Sequence, residues 1–237
     1  MKIDICLSPA LYPYYAEEGD TVIIVDIFRA TTTICTILYN GAKSVIPIAS
    51  VEKALEYKTN GFLVGGERNA KKIDFADYGN SPFDYTPERV EEEDVVFTTT
   101  NGTQAINIAS DSGTLLVGAF SNIDALAEQC VKIGNRIVVL CSGWKNKVNT
   151  EDTLFAGALA KKLHENYKIN LESDSARMAV KLWESAKDNP LEFIITSDHY
   201  KRLIDNNAEA DIDYCFIENS APVVPIYNKV DKKLFIL

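Results

Sequence analysis

The chain has 237 residues, and hydrophobic residues make up 46% of them, enough to build a sizeable core in one domain spanning 1–237. Its formal charge of −10 argues against nonspecific nucleic-acid binding, which needs a basic surface to neutralise phosphates. No stretch approaches the roughly 18 apolar residues of a membrane span. The opening "MKIDICLSPA" lacks the build of a secretory leader, so the expectation is a cytoplasmic protein with neither nucleic acid nor membrane as partner.

In chain order, "TVIIVDIF" is a short, β-branched apolar run that predicts a strand buried on both faces, and "TTTICTILYNGA" predicts a helix ending at Gly41. "SVIPIA" predicts a strand whose Pro47 suggests an edge or bulge. "SVEKALEYKTNG" predicts a helix capped by Ser50 and closed by Gly61. "FLVGGE" is a strand before a long loop, and "DVVFTTT" is a strand before a helix from about Thr103. "TLLVGAF", "NIDALAEQCVKIGN", "RIVVLCSG" and "EDTLFAGALAKKLHENY" then alternate strand, helix, strand and helix. After that the rhythm changes. "SDSARMAVKLWESA" and "FIITSDHYKRLIDN" predict two successive helices, and "DIDYCFIENS", "PVVPIYNK" and "KLFIL" predict short extended segments. Repeated βα units imply an α/β fold, a three-layer α/β/α sandwich around a mixed, largely parallel sheet.

Open α/β sheets bind ligands outside the carboxyl ends of their strands, and four strand ends here turn polar. The first, "VDIFRATTTI", sets Asp26 and Arg29 before Thr31, Thr32 and Thr33 at a helix start. Free N–H groups, hydroxyls and a guanidinium fork suit an oxyanion, and a simple cap needs one hydroxyl rather than three. The second, "FLVGGERNA", follows Gly65 and Gly66 with Glu67 and Arg68. The third, "VVFTTTNGTQA", forms a turn from Thr99, Asn101, Gly102 and Thr103 that lacks the P-loop pattern. The fourth ends a strand at Cys141, Ser142 and Gly143 and places Glu151 and Asp152 in the next helical turn. Asp26, Glu67, Glu151 and Asp152 would supply oxygen ligands for a hard divalent cation if the strand ends converge.

The five cysteines are scattered without metal or disulfide spacing, which suits a reducing compartment. Cys141 lacks the following arginine of a cysteine-phosphatase loop, so its thiol reads as structural. The two histidines, His164 and His199, fall in helical segments without ligand spacing and read as structural or surface residues.

Taken together, "VDIFRATTTI", "GGERNA" with "DYGNSP", "TTTNGT" and "CSG…EDTLFAGAL" resemble the 2-phosphosulfolactate phosphatases, in order across about the first 165 residues. One departure is Ala70, where glycine is expected after Glu-Arg-Asn. The resemblance implies a Mg2+-dependent hydrolase that converts 2-phospho-3-sulfolactate to sulfolactate and phosphate, a step used in some organisms for coenzyme M biosynthesis. It implies catalytic roles for Asp26, Arg29, Glu67 and Asp152, and metal ligation by some of Asp26, Glu67, Glu151 and Asp152. Substrate would meet Thr31–Thr33, Asn80, Thr99, Asn101–Thr103 and Cys141–Gly143, with Arg68 and Ser81 on the sulfonate or carboxylate. The attacking group is either water or Asp26 itself. A homodimer is the expected assembly. A non-catalytic anion-binding module and a phosphoryl transferase on another small acid are the rival readings.

Overall fold

The computed structural model describes residues 1–236 and contains one ten-stranded mixed sheet. The strands are β1 (Ile3–Cys6), β2 (Thr21–Val25), β3 (Ser44–Pro47), β4 (Leu63–Arg68), β5 (Lys71–Lys72), β6 (Asp94–Thr98), β7 (Thr114–Gly118), β8 (Ile137–Cys141), β9 (Pro225–Asn228) and β10 (Lys233–Ile236). The helices that matter for the site are α1 (Ala30–Tyr39), α4 (Gly102–Ile108), α6 (Thr150–Tyr167), α9 (Asp198–Ile204) and α10 (Glu209–Cys215). Between them lie α2 (Val51–Thr59), α3 (Pro87–Val90), α5 (Ile123–Ile133), α7 (Asp174–Ala186) and α8 (Pro190–Ile194).

The sheet order is β1-β8-β2-β7-β9-β10-β3-β6-β4-β5. Two parallel blocks, β1-β8-β2-β7 and β3-β6-β4, are joined by the antiparallel hairpin of β9 and β10. β2 and β8 are the central apolar runs of the first block, and every residue of both is buried. That fits strands covered by helices on both faces.

The tail departs from the sequence expectation. "FIITSDHYKRLIDN" is not one helix. It breaks at Ser197, whose hydroxyl caps Tyr200 and starts α9 after α8 has ended. "DIDYCFIENS" is not extended but carries α10, because Ile212 and Cys215, one helical turn apart, both enter the core. Pro47 is not at a sheet edge. β3 lies between β10 and β6, and Pro47 ends it, with the ladder taken up by Ile48 N–H on the Phe97 carbonyl. The first strand, β1, was not among the expected elements. It pairs in parallel with β8. Of the predicted segment "KLFIL", Leu237 lies outside the described residues.

Candidate active site

Strand ends of both parallel blocks meet at one tight pocket. Its walls include Asp26, Arg29, Glu67, Asn80, Asn101 and, from the tail, His199. Asp26 leaves β2 and Arg29 precedes α1, so the polar break in "VDIFRATTTI" falls where the chain turns from sheet to helix. α4 comes in against it. A Cβ on Gly102 would lie 2.6 Å from the Ala30 Cβ and 2.9 Å from Asp26 Oδ2, so only glycine allows this approach.

The pocket is rich in negative charge. Burial pushes the Asp26 carboxyl up to about 7, with His199 opposing and the charges of Glu67 and Glu151 adding to the rise. Glu67 is anchored from behind: Oε1 accepts from Thr100 N at 2.7 Å, and Oε2 from Ala70 N at 2.7 Å. Arg29 pairs with Asp211 of α10, and Asp211 also accepts from Ser81 Oγ at 2.6 Å. The Arg29 Nε and the Asn80 Oδ1 are buried without hydrogen-bond partners, so a donor and an acceptor stand free in the pocket walls.

The other sequence-selected residues sit around this pocket in different ways. The hydroxyls of Thr31 and Thr32 donate to the Asp26 and Ile27 carbonyls, and that of Thr33 donates to the Asn80 carbonyl at 3.0 Å. All three side chains are fully buried, so they tie the Asp26 and Asn80 loops to α1. Thr99 and Thr103 bond each other across the turn before α4, 3.2 Å in each direction. Asn101 Oδ1 accepts from Lys145 N at 3.2 Å. Arg68 points away from the pocket to the Ala49 carbonyl and Thr98 Oγ1, at 2.9 and 2.8 Å. Cys141 is buried in the core and burial holds its thiol well above the usual range, which suits a structural thiol. The Ser142 hydroxyl is buried without a partner. Gly143 takes φ +58, and a Cβ there would sit 2.1 Å from the Lys147 carbonyl.

The four candidate metal carboxylates separate. Asp26 and Glu67 share the pocket. Asp152 is fully buried, and its two oxygens accept from Ile27 N at 2.8 Å and Gly143 N at 3.0 Å. Burial, then the charges of Asp26 and Glu151, hold its carboxyl well above the ordinary range. Glu151 faces an adjoining cavity, where Oε1 meets His199 Nδ1 at 2.6 Å and Oε2 is buried without a partner. No group of three or more His, Cys, Asp or Glu side chains among the described residues is gathered to hold a metal. A hard cation such as Mg2+ needs fewer, because it commonly keeps waters and substrate phosphate beside one or two carboxylates. The buried, poorly compensated charge of Asp26 beside Glu67 fits such an ion.

His199 corrects the sequence reading. It is not a surface residue but buried, paired with Glu151, and part of the walls of both the pocket and the adjoining cavity. Asp211 was also missed, because nothing local sets it apart from its neighbouring acids Glu209 and Asp213. No helix among the described residues is long and apolar enough to cross a membrane.

A family model described as 2-phosphosulpholactate phosphatase matches residues 6–230. A "Probable 2-phosphosulfolactate phosphatase" of Thermotoga petrophila is 38% identical over 224 residues, covering 94% of both chains. One of the same name from Clostridium perfringens (strain SM101 / Type A) is 38% identical over 230 residues, covering 94% of this chain and 92% of its own. Another, from Caldanaerobacter subterraneus subsp. tengcongensis, is 35% identical over 209 residues, covering 86% of each.

Proposed function

This chain belongs to the 2-phosphosulpholactate phosphatase family, and from that premise we propose that it hydrolyses 2-phospho-3-sulfolactate in a Mg2+-dependent reaction. One observation carries the reading beyond the family: Asp26, Glu67 and an Arg29 with an unpartnered buried Nε line a single tight pocket. That arrangement supports binding of a phosphoryl group, with a guanidinium for its oxygens and carboxylates for a counter-ion.

Asp26 and Glu67 would hold the Mg2+. Bound there, the ion would neutralise charge on the phosphoryl oxygens. Arg29 holds the phosphoryl group through its free N–H, while Asp211 fixes the plane of the guanidinium. The Asn101 turn closes the far wall, and Gly102 lets it approach. A water oxygen attacks phosphorus, the bond from phosphorus to the ester oxygen breaks, and that oxygen leaves as the alcohol with one proton. The second proton of the water leaves with phosphate or to solvent. Positioning and charge stabilisation supply the rate, as in other phosphoryl transfers.

Phosphate release from 2-phospho-3-sulfolactate, with and without Mg2+, tests the reading. Release that needs the metal is expected, together with loss of release in Asp26→Asn. Metal-independent release would remove Mg2+ from the proposal, and no release from this or any related phospho-hydroxy acid would remove the phosphatase. Trapping a phosphorylated Asp26 would replace water by the carboxylate as the attacking group.

A further inference from the structure

The cavity beside the pocket has about 140 Å³ of space, and Trp144 and His199 line both. Arg202 enters it from α9 with its guanidinium 3.9 Å from the centroid of the Trp144 ring. Arg202 makes no ion pair among the described residues, and its Nε is buried without a hydrogen-bond partner. Lys147 also lines the cavity, exposed and likewise without an ion pair among the described residues. A buried N–H without an acceptor is costly, and a guanidinium stacked on an indole is already oriented to present its edge. A ligand with acceptor oxygens would satisfy it.

We propose that this cavity is the subsite for the sulfonate of the substrate, with Arg202 braced on Trp144 and Lys147 assisting. The proposal rests on the phosphatase reading, which places the phosphoryl group in the Asp26 pocket next door. The two spaces share walls, as a phosphoryl and a sulfonate group on neighbouring carbons of one small molecule require. Sulfonate oxygens match the N–H fork of arginine, a match that lysine cannot reproduce. Glu151 and Asp198 also line the cavity and would repel an anion placed away from the two cations. The sequence reading gave the acid tail to Arg68 and Ser81. Arg68 is spent on the Ala49 carbonyl and Thr98, and Ser81 on Asp211.

The test compares kcat/KM for 2-phospho-3-sulfolactate with that for 2-phospholactate, which carries a methyl group in place of the sulfonate arm. Arg202→Ala should lower the ratio about 30-fold or more, the size expected when one partner of a buried charged contact is removed. Arg202→Lys should lower it less, and Lys147→Ala least. Should Arg202→Ala not fold, the other two variants still give the ratio. A ratio unchanged in the variants, or both substrates losing equally, overturns the subsite. Calorimetric titration with 3-sulfolactate separates the two proposals. Binding that depends on Arg202, in a protein that hydrolyses neither substrate, keeps the subsite and sinks the phosphatase. Hydrolysis of the sulfonated substrate with an unchanged ratio in the variants does the reverse.

Discussion

His199 Nδ1 lies 2.6 Å from Glu151 Oε1, and both side chains are buried between the Asp26 pocket and the Arg202 cavity. The contact ties α9, late in the chain, to the first turn of α6. The Asn149 amide donates to the same Glu151 oxygen at 2.9 Å, and the other Glu151 oxygen has no partner, so His199 and Asn149 are what hold this carboxylate.

Replacing His199 with alanine leaves the buried Glu151 with only the Asn149 amide on Oε1. The expected loss is about 1–3 kcal/mol of stability, the usual worth of a hydrogen bond to a buried charged acceptor. Urea denaturation of His199→Ala, Glu151→Gln and the double variant measures it. The double variant should lose less than the sum of the single ones. Strict additivity would mean that the pair carries no coupling.

Arg29 and Asp211 form the second long-range tie, joining the start of α1 to α10 through a buried ion pair. Breaking one side of such a pair typically costs about 3–5 kcal/mol, because the other charge is left behind. Asp211→Ala should therefore destabilise strongly. It should also raise KM for the phosphorylated substrate, since Ser81 and Arg29 both lose their anchor. Asp211→Asn keeps the shape and an acceptor and should lose less. Equal midpoints for the two variants in a denaturant titration would count against this account.

Asp26, Arg29, Glu67 and the Asn101 turn were legible because each sits at or shortly beyond the carboxyl end of an apolar strand. Neighbours in sequence were harder to tell apart. Successive residues on a strand face opposite ways, so Glu67 and Arg68 could not both enter the pocket. Successive residues on a helix point about 100° apart, so Glu151 and Asp152 diverge, and Thr31, Thr32 and Thr33 cannot face one anion together. Arg202, His199 and Asp211 had no local signature at all. Each lies in a short tail helix, and only the tertiary fold carries it to strand ends far earlier in the chain.

Asp26 should weaken the metal-free protein that it serves. Its carboxyl rises from 3.8 to about 7 on folding, through burial first. The folded state thus holds the proton more tightly than the unfolded one, and stability falls as pH climbs through that window. In chelator, the parent should lose stability from about pH 4 to 7, by roughly 2–4 kcal/mol in all. Asp26→Asn should lack most of that decline, melt higher than the parent at pH 8, and have no activity. Thermal scans across pH with chelator, repeated with Mg2+, give both curves. A parent as stable at pH 8 as at pH 5 without metal would contradict the burial of an uncompensated charge.

Ala70 stands where the motif of the loop leads one to expect glycine, and its backbone explains the expectation. Its φ is +67, in the left-handed region, and the preceding Asn69 is at +54. A β-carbon in that region costs about 1–2 kcal/mol. The loop accepts the cost because the turn brings Ala70 N–H to Glu67 Oε2 at 2.7 Å and so holds a pocket carboxylate in place. Glycine would adopt the same turn without the clash, although it would lose more entropy on folding. Ala70→Gly should therefore raise stability modestly, by about 0.5–1 kcal/mol, with Glu67 still anchored and catalytic rate near that of the parent. The denaturation midpoint and kcat of the single variant check both parts. A drop in stability would mean that the methyl group packs well enough to outweigh its backbone strain.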